Sequence, residues 1–278
     1  MMLGRSENSP SPFPVIMDFT GAYRYQRFAA ASDFSWIDCR GINGTDCYCD
    51  KEGEAALRKL IAAFSPYGLH FLDSGNYHYM TKLWTDRLRE PFSLVLFDHH
   101  TDMQPPVFEG LISCGGWVKD MLDGNSFLKN VLIAGVPETD AAKVRSERVH
   151  VISEEDFAVS GCPAWPLSSV LPSGVPVYLS VDKDVLSTDS AITNWDQGSM
   201  RLEVLTGAIS RLMRDCKVIG MDVCGEPDAA AGFHARNSNL NSLVNGRLSE
   251  LWKFNNSTAD CSNPLQSRPD KACEGRRR

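Results

Sequence analysis

The feature that most limits the fold of this chain is a series of short, almost uninterrupted apolar runs, several of which stop at an acidic residue. They are "PVIMDF" (14–19), "FSWIDC" (34–39), "GLHFLD" (68–73), "SLVLFD" (93–98), "NVLIAG" (130–135), "RVHVIS" (148–153), "PVYLSVD" (176–182) and "KVIGMDV" (217–223). A strand with one wet face alternates apolar and polar residues. These runs do not, which predicts strands buried on both faces, as in a parallel sheet covered by helices on each side. Between them the spacing turns helical. Residues 51–64 place Leu57, Leu60, Ile61 and Phe64 on one stripe, and residues 200–215 do the same with Leu202, Leu205, Ile209 and Leu212. Residues 237–254 put Leu240, Leu243, Val244, Leu248, Leu251 and Trp252 on one face, with Asn237 or Ser238 as cap. The alternation predicts an α/β fold: a single three-layer α/β/α domain over residues 13–254 with a mostly parallel, about eight-stranded sheet. Residues 1–12 are expected to be a flexible N-terminus, and the polar residues 255–278 a mobile tail.

Composition removes several classes of partner. A formal net charge of −7 and a pI near 5.4 argue against a nucleic-acid or anionic-membrane surface. The one basic cluster, "GRRR" at the C-terminus, reads as a solvated tail. "MMLGRSENSPSPFP" has neither the apolar core nor the cleavage site of a secretory signal. No apolar run approaches the roughly 18 residues that a membrane helix needs. Nine scattered cysteines, an odd number in a chain too long to need staples, suggest free thiols in a cytoplasmic, reducing setting. Cys39, Cys47 and Cys49 lie close together, but no second cysteine pair follows at finger spacing, so a zinc site there is the weaker reading.

In open α/β sheets ligands gather beyond the carboxyl ends of the strands. Three clusters fall there: His78 in "DSGNYHY", Asp98, His100 and Asp102 in "LVLFDHHTDMQ", and Asp182 and Asp184 in "LSVDKDVLS". In extended backbone, residues two apart point to one side, which would bring Asp98, His100 and Asp102 together and turn His99, Thr101 and Lys183 away. A lone Asp-x-Asp is usually a solvated turn and a lone histidine usually loop polarity. Four titratable groups crowded at a buried strand end are harder to explain that way. Four carboxylates ionise side by side in a low-dielectric crevice only beside cations, and oxygen-rich ligation with some imidazole favours two Mn2+ ions.

"DSGNYH", "FDHHTDM" and "LSVDKDVL" resemble, in order and spacing, the three metal motifs of the arginase-like ureohydrolases (arginase, agmatinase, formiminoglutamase), from about residue 12 to 254. "TNWDQGSMRLEVL" sits where that family has a Thr-Gly-x-x-x-Pro-Gly-Gly-Leu segment. The resemblance implies six metal ligands, His78, Asp98, His100, Asp102, Asp182 and Asp184. It also implies two Mn2+ per chain and a hydrolase that cleaves a C–N bond of a guanidino or formimino compound by a metal-bridging hydroxide. Asp102 would hold that hydroxide and relay its proton. Relatives assemble as trimers or hexamers, so a homo-oligomer is implied by the same route.

Three departures bear on substrate. Where arginases carry Ser-Gly-Asn-x-His-Gly, this chain has "LISCGGWV", which lacks the histidine and leaves Ser113, Cys114, Gly115 and Gly116. That moves the expectation away from arginase itself. Ser113 and Gly115 become substrate-binding candidates, the glycine pair offering N–H groups to an anion before the helix "GWVKDML". The family's late Asp-x-x-Glu becomes "GMDVCGEPD", with Gly225 at the glutamate's place; a one-residue slip would make Glu226 the catalytic and binding partner of a cationic substrate group. Thr188 replaces the last Asp of the third motif. Glu138 and Asp140 in "GVPETD" lie where the family reads substrate amino groups; His99 is expected to pack or to hydrogen-bond a ligand, and Lys183 to point away from the metals into a salt bridge at the surface or behind the ligands. His70, His150 and His234 match no role. Two other readings stay open: a zinc deacetylase-type amidohydrolase on the same fold, and a non-catalytic metal-binding relative.

Overall fold

The computed structural model describes residues 13–31, 33–105, 108, 110–160, 170–227 and 235–261. The expectations for residues 1–12, for the tail from 262 onward with its basic cluster, and for His234 lie outside the described residues. All eight runs form strands, and they join one sheet. In chain order, with two additional short strands, these are β1 (Val15–Asp18), β2 (Ser35–Asp38), β3 (Tyr48–Cys49), β4 (Leu69–Phe71) and β5 (Phe92–Phe97). They continue with β6 (Ile112–Ser113), β7 (Leu128–Val136), β8 (Val149–Ser153), β9 (Val177–Asp182) and β10 (Val218–Cys224). The eight-stranded sheet has the order β2-β1-β4-β10-β9-β5-β7-β8, and every pairing in it is parallel. The sheet is therefore parallel throughout.

The absence of polar alternation now has its cause. Leu94, Leu96, Val131 and Ile133 enter one hydrophobic cluster, while their neighbours Val95, Phe97, Leu132 and Ala134 enter another on the opposite face. The central strands are covered twice, so most of their positions are apolar, whereas β2 at the sheet edge keeps Trp36 and Asp38 exposed. The helix Lys51–Ile61 is opened by Asp50, whose side chain accepts from Gly53 N–H, and it buries Leu57 and Ile61; Leu60 stays 36% exposed. The helix Leu202–Asp215 buries Leu205, Ile209 and Leu212 as expected. The last helix runs Ala235–Cys261, so it starts before the expected cap and continues into the segment read as tail. It buries Val244 and Leu248, whereas Leu243 is exposed.

β4 and β5 are consecutive in sequence among the sheet strands, yet β9 and β10 lie between them. The chain passes outward to β8 and then returns to fill that gap. The carboxyl ends of β4, β10, β9 and β5 consequently open side by side, where the winding reverses and a crevice forms.

Candidate metal centre

β5 ends at Phe97, and the backbone then leaves the extended form: Asp102 has φ +49°. Asp98, His100 and Asp102 do converge, but by a turning loop rather than by strand alternation, which corrects the stated reason. The loop is fixed from within, since Asp98 Oδ1 accepts His100 N–H at 2.6 Å. Asp182 closes β9 and caps the 3-10 turn Lys183–Val185, accepting Asp184 N–H at 2.9 Å. His78 follows the 3-10 turn Gly75–Tyr77. A Cβ at Gly75 would stand 2.8 Å from the Trp195 ring and 3.0 Å from Asp182 Oδ2, so glycine is what lets that turn press against the site.

These loops bring all six expected ligands to one crevice of about 210 Å³, whose walls also include Cys47, Tyr48, Gln104, Ser113, Cys114, Gly115 and Trp195. His78 Nδ1 lies 3.0 Å from Asp102 Oδ2, 3.2 Å from Asp98 Oδ2 and 3.5 Å from Asp182 Oδ2. His100 Nδ1 lies 3.0 Å from Asp184 Oδ2 and 3.5 Å from Asp98 Oδ1. Three donor groups result, His78–Asp182–Cys224, His78–Asp98–Asp102 and Asp98–His100–Asp184, each with its candidate donor atoms within 4.8 Å of one another, and the last two draw on carboxylate and imidazole alone. Asp98 belongs to both of these. The shared carboxylate is therefore Asp98, with Asp102 on the His78 side.

Supporting contacts orient these ligands. His78 Nε2 meets Ser180 Oγ at 2.9 Å, and the buried Trp117 indole N–H donates to Asp102 Oδ2. His99 donates its backbone N–H to Asp184 Oδ1 at 3.0 Å, while its ring faces Glu154 and Asp196. His100 Nε2 reaches the exposed Asp196 at 3.1 Å.

The electrostatics suit a cation site. Burial raises Asp98, with Asp102 adding to it, and burial with the Asp184 charge raises Asp182. Burial and Asp98 push Asp184 up to about 7. For His100 burial works against the charged ring, but Asp184 and Asp98 outweigh it and push the imidazole up to about 12. His78 is raised in the same way, against burial, by Cys224, Asp102 and Asp98. Asp98 Oδ2 is buried without a hydrogen-bond partner. A crowd of buried carboxylates with an orphaned oxygen fits divalent cations by its donor chemistry.

Other expectations meet different fates. Ser113 and Gly115 line the crevice. Gly116 N–H is taken by Ser113 C=O at 3.3 Å, which removes it as an anion donor and corrects that part of the glycine-pair reading. Glu226 is corrected more thoroughly. It is fully buried, forms an ion pair with the equally buried Lys183, and is absent from the crevice walls. Gln26 Nε2, Asn245 Nδ2 and Asn241 Nδ2 also donate to it, at 2.6, 2.8 and 3.1 Å. Its charge already has an internal partner. Gly225 stands at the glutamate's place because the backbone there admits no side chain: its φ is +91°, and a Cβ would stand 2.5 Å from Asp182 Oδ1. Lys183 does point away from the ligands, but into this interior network.

Glu138 is exposed, Asp140 pairs with Lys143, and neither lines the crevice. Thr188 lies in an exposed loop. Cys39 and Cys49 turn to the backbone carbonyls of Ile37 and Asp50, and the triplet with Cys47 forms no metal group among the described residues. His70 serves the interior: its Nδ1 is 2.7 Å from Asp222 Oδ1, which also accepts the Tyr178 hydroxyl at 2.8 Å. Sequence reasoning missed Cys224, the last residue of β10, whose Sγ lies 3.0 Å from Asp182 Oδ2. Its signal was the same as for the candidate ligands, a residue able to coordinate at the carboxyl end of a strand.

Comparison with known proteins agrees with this geometry. A Thermotoga maritima protein described as uncharacterized is 32% identical over 219 residues, covering 78% of this chain and 81% of that protein. Among solved structures, formimidoylglutamase from Bacillus subtilis superposes with a TM-score of 0.63 at 15% identity, covering 89% of each chain. Proclavaminate amidinohydrolase from Streptomyces clavuligerus gives 0.62 at 16% identity, over 90% of this chain and 94% of that one. A formiminoglutamase from Trypanosoma cruzi, solved with Mn2+, gives 0.63 at 14% identity over 90% and 95%. These likenesses establish a shared fold. The sequence profile of the Arginase family matches residues 70–226, from the strand before His78 to the residue after Gly225. With that match across more than half of its length, the chain belongs to the arginase family.

Proposed function

We propose that this protein is a hydrolase with two divalent cations that cleaves a C–N bond of a small guanidino or formimino compound. The observation that carries the reading is the pair of carboxylate–imidazole groups sharing Asp98 at the floor of one crevice. Its solved neighbours include proteins named formimidoylglutamase and proclavaminate amidinohydrolase, which supports the substrate class. The oxygen-rich donors favour Mn2+. Bound cations would supply a water that is deprotonated near neutral pH and polarise the carbon it attacks.

The remaining work falls to this chain's side chains. His78, Asp98, Asp102, His100, Asp182 and Asp184 would hold the cations. Asp102, fixed by the Trp117 indole, would take the proton of the attacking water as the C–O bond forms and pass it to the leaving nitrogen as the C–N bond breaks. Trp195, whose indole N–H donates to Asn76 Oδ1 at 2.9 Å, walls one side of the crevice and limits the water that enters with substrate. Ser113 Oγ and the Gly115 backbone would meet the end of the substrate remote from the reacting carbon. Among the described residues no helix is long and apolar enough to cross a membrane. We place the enzyme in the cytoplasm, where the buried thiols of Cys39, Cys49 and Cys224 would stay reduced.

The direct test is urea and ammonia release from a panel of guanidino and formimino compounds, with and without Mn2+. Turnover of one class that requires added metal is expected. No turnover across the panel by protein with both cations bound would defeat the proposal and favour a non-catalytic relative.

A further inference from the structure

Strand β10 delivers to the site a residue that no carboxylate–histidine pattern anticipates. Cys224 is in register with Asp182 on β9, so the two side chains leave adjacent parallel strands on the same side of the sheet. Cys224 is buried, and its Sγ lies 3.0 Å from Asp182 Oδ2, which is itself 3.5 Å from His78 Nδ1. Sulfur, carboxylate oxygen and imidazole nitrogen all fall within 4.8 Å of one another. Donors that each approach one cation to about 2.0–2.3 Å stand about 3–4 Å apart, as Asp182 Oδ2 does from both the sulfur and the imidazole nitrogen here. Asp98 gives an independent pointer to the same place. It is 1% exposed, and its Oδ2, 3.2 Å from His78 Nδ1, is buried without a hydrogen-bond partner. A carboxylate oxygen left this way, beside the imidazole that groups with Asp182 and Cys224, marks the position of a cation.

We propose that Cys224 is a ligand to the cation on the His78 side of the centre, which thereby gains a mixed sulfur, nitrogen and oxygen donor set. The inference rests on reading the crevice as a metal centre. When the cation binds, the S–H bond breaks, its proton leaves to solvent, and the electron pair it held forms the sulfur–metal bond; no oxidant or reductant takes part. The Asp98–His100–Asp184 group offers oxygen and nitrogen alone. The two positions therefore differ in softness. A thiolate favours Zn2+, Co2+ or Fe2+ over Mn2+, so the His78 position takes the softer ion and the His100 position accepts Mn2+.

The experiment is cobalt loading of the full-length protein, with metal content by elemental analysis and absorption in the near ultraviolet. Wild type is expected to show a thiolate-to-cobalt charge-transfer band, and Cys224→Ser to lose it while retaining cobalt. X-ray absorption at the zinc edge of zinc-loaded wild type, expected to find sulfur at about 2.3 Å, decides the matter even where the variant does not fold. Bound metal with oxygen and nitrogen neighbours alone, or a band that survives Cys224→Ser, overturns the proposal and leaves the metal centre standing. Failure of wild type to retain any cobalt or zinc overturns both.

Discussion

Replacing Lys183 with methionine removes half of a charge pair that has no water on either side. Both side chains are 0% exposed, so the variant would strand the Glu226 charge in the interior among neutral donors. Those donors are Gln26 Nε2 at 2.6 Å, Asn245 Nδ2 at 2.8 Å and Asn241 Nδ2 at 3.1 Å. Removing one partner of a buried ion pair costs about 3–5 kcal/mol. Three amide donors remain, which places the expected loss at the lower end, about 3 kcal/mol. For a chain of 278 residues the unfolding entropy is about 0.6 kcal/mol/K, so the Tm should fall by about 5 °C. The double variant Lys183→Met, Glu226→Gln keeps an oxygen acceptor for the amides while discarding the stranded charge. It should recover about 2 kcal/mol relative to Lys183→Met, and the single variant Glu226→Gln completes the double-mutant cycle that gives the coupling energy. Urea unfolding of the metal-free protein, followed by circular dichroism, measures both quantities without a contribution from cation binding. A single-variant loss below about 1 kcal/mol, or no recovery in the double variant, would refute the view that the interior holds Glu226 through Lys183.

Trp117→Phe removes the indole N–H that donates to Asp102 Oδ2 while keeping an aromatic ring beside His78. Cation affinity should drop about 10–100-fold by competition titration, and an unchanged affinity would remove Trp117 from the account of the site. Asp73 offers a pH test away from the ligands. Burial pushes its carboxyl from 3.8 up to about 6, against hydrogen bonds from Thr20 and from the Phe19 N–H. Between those values the folded chain binds more protons than the unfolded one, so this contribution to stability is lost as pH rises. The stability of wild type relative to Asp73→Asn should therefore fall by about 2–3 kcal/mol from pH 4 to pH 7; a flat difference would count against the assignment.

The central strands were legible because each is sandwiched between two hydrophobic layers, which leaves its mark as a nearly unbroken apolar run. Their order was not, since nothing in the runs says that β9 and β10 return to lie between β4 and β5. The candidate ligand residues were legible by type and by their position at strand ends. The reason offered for their convergence was not, because Asp102 reaches the site through a left-handed backbone that an alternation rule does not describe. Two-residue strands such as Tyr48–Cys49 and Ile112–Ser113 are too short to carry a periodic signal. Lys183 shows the limit most clearly. Its direction away from the ligands followed from position, but its burial depends on Glu226 and Asn245, residues far along the chain that the sequence does not place beside it. Gly225 held the missing clue to Glu226. A glycine where a family motif has glutamate signals a close backbone approach, here to Asp182, and not a slipped alignment.

Cation content per chain, measured after exhaustive dialysis of wild type, Asp98→Asn and His99→Asn, tests the central claim most directly. The geometry predicts two divalent cations in wild type and two in His99→Asn, whose ring faces Glu154 and Asp196. Asp98→Asn, altered in the carboxylate common to both donor groups, should retain neither firmly. One cation per chain in wild type, or a site emptied by His99→Asn and left full by Asp98→Asn, would contradict the account.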